Sequence, residues 1–139
     1  MNALLLDTNI VSILFVPHHR SREDVLTLVT GHELVISFMS RAELYLWPVL
    51  NQWGAGRREL LLRHLELYTP LFPDETTCHL WSDVVAQCRR KGRPIHTADA
   101  WIAATAKQWS LPLVTANVSD FETIDDLRLI PLTGASDSM

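Results

Sequence analysis

The sequence has 139 residues, the length of about one domain with a core of its own. Apolar residues make up 47% and charged residues 20%, as in an ordinary globular protein, and the net charge of −4 does not suggest nucleic-acid binding through bulk positive charge. The N-terminus lacks the basic region of a signal peptide and no apolar run approaches the ~20 residues of a membrane span, so we expect a cytoplasmic protein without a membrane segment.

Short apolar runs alternate with helical patterns along the chain. The first run, Ala3 to Leu6, is continuous, as expected of a strand buried on both faces of a parallel sheet. Helical spacing follows up to Pro17, and a second helix is predicted from Ser21 to about Val29. Further strands are predicted at 34–37, 67–71, 113–114 and 129–130, and further helices from Ser40 to about Pro48, after a break at Gly54–Gly56, from about Asp74 to Arg90, and after Thr97 as its cap.

This alternation predicts an α/β fold with helices on both faces of a parallel sheet. We expect one domain over residues 1–133 and a loose C-terminal tail at 134–139. Two apolar helix stripes are predicted, one of Cys78, Trp81, Val85 and Cys88, and one of Ile102, Ala106 and Trp109. Both cysteines are expected to be reduced thiols in the core.

Acidic residues follow the predicted strands. Asp7 comes directly after the first strand, Glu43 is placed in the first turn of the helix after the second, and Asp99 in the first turn of the helix before the fourth. Asn117 and Asp120 follow the fourth strand. Taken singly, Glu43, Asp99 or Asp120 is readily explained as a helix cap or dipole partner, whereas a carboxylate on an all-apolar strand is costly unless a helix N-terminus or a cation compensates it.

If these acids lie close together in the fold, their chemistry predicts a metal site and a type of reaction. Clustered carboxylates repel one another unless a cation neutralises them, and oxygen-only ligands select hard cations such as Mg²⁺ or Mn²⁺. Such a metal activates water and stabilises charge on a phosphoryl oxygen, so the natural reaction is phosphodiester hydrolysis without a covalent enzyme intermediate.

Four segments resemble the PIN-domain family, specifically its VapC-like toxin ribonucleases of type II toxin–antitoxin systems. They are Leu5-Leu6-Asp7-Thr8-Asn9, Ser40-Arg41-Ala42-Glu43-Leu44, Asp99-Ala-Trp-Ile-Ala-Ala-Thr-Ala106, and Leu113-Val-Thr115-Ala-Asn117-Val-Ser-Asp120-Phe121. The resemblance covers nearly the whole chain, and the four motifs together are more specific than any one of them.

The resemblance implies a three-layer α/β/α sandwich with a central, mostly parallel sheet. It also implies metal-dependent endonucleolytic cleavage of RNA by a homodimer, inhibited by a cognate antitoxin. Carried over by position, Asp7, Glu43 and Asp99 would be the core metal ligands and catalytic acids, with Asp120 completing the site. The residues that would position these ligands or the metal-bound water are Thr8, Asn9, Thr115 and Asn117.

Other readings remain open. A phosphatase or receiver domain could use Asp7 as a nucleophile or phosphoacceptor, but the chain lacks the accompanying patterns, such as a second Asp where Asn9 stands. A non-catalytic PIN-like module that binds RNA or protein is the main alternative. Trp47 and Trp53 are left open as base-stacking residues, and His96 is interpreted as a loop residue.

Overall fold

The sheet is parallel throughout the part of the chain described. The structure is a computed structural model and describes residues 2–133, so the predicted tail at 134–139 lies outside the described residues. Its sheet has the order β3-β2-β1-β4-β5, and every pairing is parallel, which confirms the predicted sheet. The strands are β1 (Ala3–Leu6), β2 (Glu33–Ser37), β3 (Thr69–Leu71), β4 (Leu113–Thr115) and β5 (Leu129–Pro131).

Helices cover both faces of this sheet. Alternate residues of β1 enter two separate cores, with Leu4 and Leu6 on one face and Leu5 on the other. The first core includes residues of α1, α2 and α4, and the second includes residues of α5 and α6, so the three-layer α/β/α sandwich is confirmed. The helices are α1 (Thr8–Phe15), α2 (Arg22–Val29), α3 (Phe38–Leu50), α4 (Ala55–Leu65), α5 (Glu75–Arg90) and α6 (Thr97–Trp109).

Local chemistry sets several of the helix ends. Asp74 and Thr77 form a reciprocal capping box that starts α5. Gly92 follows the end of α5 with φ of +73°, a left-handed conformation that glycine adopts without a steric penalty. No helix within residues 2–133 has both the length and the apolar character needed to span a bilayer.

The predicted bounds of α3 were wrong at both ends. The helix begins at Phe38 because the Ser37 hydroxyl accepts a hydrogen bond from the Ser40 N–H and caps it. It also continues through Pro48 to Leu50. A proline removes one hydrogen bond from the helix, and here it lies near the helix end, where its ring is buried. Glu43 is therefore in the second turn of α3, not the first.

Smaller corrections concern the other helices. His96, not Thr97, is the residue that precedes α6, and α4 starts within the glycine-rich break, at Ala55. On α5 the buried face contains Thr77, Val84 and Cys88, while Cys78 is exposed, so the predicted stripe was off by one residue at its start. Trp109 of α6 is 52% exposed because its helix has turned this position away from the core that holds Ile102 and Ala106.

Candidate active site

The carboxyl ends of β1, β2 and β4 bring polar side chains to one edge of the sheet. Asp7 follows β1, Ser37 ends β2, and Thr115 ends β4, and all three side chains are buried. Strand β1 lies between β2 and β4, so the chain order reverses at this point. In doubly wound sheets ligands bind at such a switch point.

Asp7 is the most deeply buried acid of the site. Its carboxylate accepts hydrogen bonds from the Thr8 N–H at 2.8 Å and from the Thr115 hydroxyl at 2.8 Å, and it caps α1. Burial raises the pKa of Asp7 to about 6, against the lowering effect of these two hydrogen bonds, and the charges of Glu43 and Asp120 raise it further. The helix N-terminus thus compensates Asp7 only in part.

Glu43 is held by the start of α1. The Thr8 hydroxyl lies 2.6 Å from Oε1 of Glu43 and 2.8 Å from the hydroxyl of Ser40. Ser40 precedes Glu43 by three residues on α3, so the two side chains share a helix face. The sequence analysis predicted no role for Ser37 or Ser40. The signal that could have placed them here is the three-residue spacing from Ser37 to Ser40 and from Ser40 to Glu43.

Asp99 joins the same electrostatic group from α6. It lies in the first turn of that helix, as predicted, and its side chain is half-buried. Burial raises the pKa of Asp99 to about 6, and the charges of Asp7, Asp120 and Glu43 raise it further, whereas His96 lowers it. The charges of Asp7, Asp120 and Glu43 all act on the pKa of Asp99, so the four predicted acids lie in one region of the structure.

Asp120 reaches this region from the 3₁₀ turn Val118–Asp120 and is exposed. Asn117 precedes the turn, and its backbone N–H donates a hydrogen bond to the Thr115 hydroxyl at 2.9 Å. The Thr115 hydroxyl therefore receives one hydrogen bond from Asn117 and gives another to Asp7. This contact is made by the main chain of Asn117, so a role for its side chain remains a prediction.

A polar cavity of about 120 Å³ opens beside Asp99 and Asp120. Arg93 and His96 line it, together with Ser119. His96 was interpreted as a loop residue, and the structure places it on the wall of this cavity, one residue before α6. Asn9, the remaining predicted positioning residue, is half-buried in the first turn of α1, where its carbonyl accepts a hydrogen bond from Ser12.

Trp47 and Trp53 belong to an aromatic cluster beside α1. Trp53 stacks on Phe15 with ring centroids 5.8 Å apart, and Trp47 packs against both rings. The guanidinium of Arg57 lies 3.8 Å from the centre of the Trp53 ring. Since Phe15 and Arg57 both contact the Trp53 ring, the structure gives these tryptophans a packing role and does not present them as open stacking platforms.

The donor chemistry at the site suits a hard divalent cation. The side chains gathered there offer carboxylate and hydroxyl oxygens. Burial, and to a smaller extent mutual repulsion, raises the pKa values of Asp7 and Asp99, and a bound cation would offset both effects. Among residues 2–133, no three Asp, Glu, His or Cys side chains form a ready-made group that could hold a metal ion. The fit to Mg²⁺ or Mn²⁺ therefore rests on the donor type and the charge of the four acids.

Known proteins are similar to this chain in sequence and in fold. A family model described as PIN domain matches residues 4–127. The chain is 34% identical over 131 residues to "Ribonuclease VapC1" of Haemophilus influenzae strain R2866, covering 89% of this chain and 93% of the relative. It is 31% identical over 129 residues to "Toxin FitB" of Neisseria gonorrhoeae, covering 88% and 93%.

A solved structure described as VapBC-1 from nontypeable Haemophilus influenzae superposes with a TM-score of 0.79. The matched sequences are 30% identical, and the match covers 94% of this chain and 98% of the other. Sequence and structure thus point to the same family.

Proposed function

Since the chain belongs to the PIN-domain family, we propose that it is an endoribonuclease that requires Mg²⁺ or Mn²⁺ and acts as the toxin of a toxin–antitoxin pair. The observation that carries the proposal is the electrostatic coupling of Asp7, Asp99, Glu43 and Asp120 at the carboxyl edge of the sheet. A carboxylate whose pKa is raised by burial and further by neighbouring carboxylates is a typical feature of a functional site.

In the proposed site Asp7, Glu43 and Asp99 would hold the metal ion, and Asp120 would complete the set of ligands. A divalent ion bound there lowers the pKa of a water molecule and stabilises negative charge on a phosphoryl oxygen. In the proposed hydrolysis, water attacks the phosphorus in line with the leaving ribose oxygen, the P–O bond to that oxygen breaks, and the oxygen takes up a proton, so no covalent bond to the protein would form.

The hydroxyl groups of the site orient the acids in this mechanism. Thr115 fixes one oxygen of Asp7 and the Thr8 N–H fixes the other, while the Thr8 hydroxyl fixes one oxygen of Glu43. These contacts keep the carboxylates from rotating away from one another when the ion is absent. Hydrogen-bond partners of metal ligands commonly change affinity or activity about 10- to 100-fold when they are removed.

Protein partners form part of the proposal. Four large apolar side chains are exposed on α3, at Tyr45, Leu46, Val49 and Leu50. Exposed apolar patches of this kind commonly mark protein contact surfaces. We therefore propose that the chain forms a homodimer and that a protein antitoxin binds it. We also propose that it acts in the cytoplasm, where RNA is abundant. The description of another solved structure, VapBC-5 from Mycobacterium tuberculosis, calls VapBC a family of toxin–antitoxin systems, and VapBC-1 of Haemophilus influenzae shares that name.

The test uses the full chain freed of any bound protein. Total cellular RNA is incubated with wild type, with the double variant Asp7→Asn plus Asp99→Asn, and with Asp83→Asn, which removes an exposed acid of α5 as a matched control. We expect discrete RNA products that require Mg²⁺ or Mn²⁺, disappear with EDTA, and are made by wild type and by the α5 control alone. Single-stranded DNA serves as the substrate that tests RNA specificity.

The toxin assignment has its own readout. Expression of wild type should arrest bacterial growth, whereas the double variant should not. If RNA is not cleaved by wild type at any metal concentration, or is cleaved equally by the double variant, the catalytic proposal fails. A non-catalytic module that binds RNA or protein would then be the better description.

A further inference from the structure

Asp120 lies in the segment 117–125 between β4 and β5, and two buried side chains attach this segment to the core. Phe121 is 0% exposed and Ile124 is 5% exposed, and both enter the core that includes residues of α5 and α6. Ser119 and Asp120 are themselves exposed. The burial of Phe121 fixes the segment to the sheet face, but the direction of the Asp120 turn needs a further constraint.

Residues at the end of α5 form hydrogen bonds with the C-terminal part of this segment, at Thr123 and Asp125. Nζ of Lys91 donates to the Thr123 carbonyl at 2.7 Å and to the Asp125 carboxylate at 2.8 Å. Gln87 and Asp125 exchange two further hydrogen bonds, at 3.0 and 2.8 Å. The hydrogen bond from Lys91, and then its charge, lowers the pKa of Asp125.

Arg93 makes the contact nearest to the acid. Its Nη2 donates to the Ser119 carbonyl at 3.0 Å, and its Nη1 donates to the Glu122 carboxylate at 3.3 Å. Ser119 and Glu122 lie on either side of Asp120 along the chain. Arg93 therefore spans the turn from which the Asp120 carboxylate projects.

The backbone of Arg93 is fixed by the way α5 ends. The Arg93 N–H bonds to the Cys88 carbonyl at 2.9 Å, and the Gly92 N–H bonds to the Arg89 carbonyl at 3.0 Å. This pair of bonds around a left-handed glycine is a Schellman motif. The motif ties the main chain of Arg93 to Cys88, which is buried in the core.

We propose that Arg93 is a positioning residue, which holds the Asp120 turn in place so that this carboxylate stands with the other three acids. The inference rests on the proposed function for what the positioned carboxylate does, namely to complete a metal site. Two of the Arg93 N–H groups are engaged by Ser119 and Glu122, which favours this role over a direct contact with an RNA phosphate.

The first test follows amide hydrogen exchange in the metal-free full chain. The N–H groups of Asp120, Phe121 and Glu122 are hydrogen-bonded within the turn and report its opening. We expect Arg93→Ala to speed their exchange about three- to tenfold, the size expected for the loss of a partly exposed charged hydrogen bond. Arg93→Lys should fall between this variant and wild type, since a lysine can still reach a carbonyl as a donor.

Arg90→Ala is the matched control, because it removes the same charge from the last turn of α5. It should exchange like wild type, and the amides of β1 and α6 should be unchanged in every variant. Unchanged exchange at Asp120 to Glu122 in Arg93→Ala would overturn the proposal. Equal acceleration by Arg90→Ala would overturn it as well, since the effect would then be one of general charge.

Calorimetric titration with Mg²⁺, without RNA, tests the consequence at the site. Arg93→Ala should bind Mg²⁺ several-fold more weakly than wild type, with Arg93→Lys recovering part of the affinity and Arg90→Ala all of it. Wild-type affinity in Arg93→Ala would overturn the positioning role. So would weaker metal-free RNA binding combined with normal exchange and normal Mg²⁺ affinity, because Arg93 would then be a phosphate contact.

The two proposals fail in different ways. If wild type takes up no Mg²⁺ and cleaves no RNA, the proposed function is wrong, and the exchange comparison alone decides whether Arg93 holds the turn. If wild type binds Mg²⁺ and cleaves RNA while Arg93→Ala matches it in exchange and affinity, the function stands and the Arg93 proposal falls.

Discussion

The hydroxyl group of Thr8 donates a hydrogen bond to Oε1 of Glu43 at 2.6 Å, joining the first residue of α1 to an acid 35 positions further along the chain. Thr8 also follows Asp7 directly and supplies the N–H that caps one oxygen of its carboxylate. A single residue therefore orients two of the four acids, one through its main chain and one through its side chain.

Removal of this hydroxyl should impair catalysis more than folding. Thr8→Val keeps the shape of the buried side chain and the backbone N–H, but it leaves Glu43 without its donor. We expect RNA cleavage to fall by about 10- to 100-fold, the usual range for the loss of a partner of a metal ligand. Thr8→Ser, which retains the hydroxyl, should stay close to wild type, and equal rates for Thr8→Val and wild type would contradict this role.

The raised pKa of Asp7 predicts a pH-dependent stability of the metal-free protein. Between its unfolded value of 3.8 and its folded value of about 6, the folded chain binds a proton on Asp7 that the unfolded chain does not. Stability should therefore fall as the pH rises through this window and level off above it. Asp7→Asn removes the penalty and should be more stable than wild type at neutral pH by about 2–3 kcal/mol.

Urea unfolding in EDTA at several pH values measures this difference. The advantage of Asp7→Asn should shrink as the pH falls through about 6 towards 3.8. Asp99→Asn should show the same sign, because the pKa of Asp99 is also raised to about 6. A variant that is less stable than wild type by a constant amount at every pH would show that hydrogen bonding, not charge, dominates at Asp7.

Binding of a divalent ion should offset the loss of stability that the raised pKa values of Asp7 and Asp99 cause at neutral pH. An ion that binds only the folded state stabilises it by about 2.7 kcal/mol at a hundred times its Kd, which corresponds to a rise in Tm of roughly 5–10 °C for a domain of this size. Thermal unfolding with and without Mg²⁺ should show this rise in wild type and its removal by EDTA. The double variant Asp7→Asn plus Asp99→Asn should show no rise, and a rise in that variant would place the ion elsewhere.

The aromatic cluster predicts a second pH dependence, of opposite sign. Nε2 of His64 lies 2.8 Å from the Tyr68 hydroxyl, and its ring packs against Phe15. Burial lowers the pKa of His64 below 6.5, and the nearby Arg22 lowers it further. The unfolded chain therefore takes up a proton first as the pH falls below 6.5, and stability is lost from that point downward.

His64→Gln keeps a group that can accept from Tyr68 but removes the titration. The unfolding free energies of wild type and His64→Gln, measured in urea from about pH 7.5 to pH 5, should converge as the pH falls, because only wild type carries this loss. The contributions of Asp7 and Asp99 are common to both proteins and cancel in the comparison. A difference that stays constant across this range would exclude His64 as the titrating group.

Much of the fold could be predicted because the local signals agree with it. Leu4, Leu5 and Leu6 form a continuous apolar run, and only a strand covered on both faces buries all three. The position of Asp7 at the end of that strand could be predicted for the same reason. The family resemblance pointed to Thr115 as a positioning residue, but that its partner is Asp7 could not be predicted, because this contact depends on β4 pairing beside β1.

The errors have physical causes that a single sequence does not reveal. Pro48 suggested a helix end, but α3 continues for two residues beyond it, where the proline removes one hydrogen bond close to the end of the helix. Cys78 and Thr77 are adjacent on α5, and only the packing of that helix decides which of them faces the core. Arg93 drew no prediction from the sequence, because its partners Ser119 and Glu122 lie 26 and 29 residues away along the chain.

The hydrogen bond between Asp7 and Thr115 joins residues 108 positions apart. At a synthesis rate of about 5–20 residues per second, roughly 5–20 s pass between the appearance of these two residues on the ribosome. During that interval the nascent chain contains Asp7 but not the strand that completes its surroundings. A product that ends before β4 lacks Thr115 and Asp120, so we expect the proposed activity only in chains whose synthesis has passed both residues.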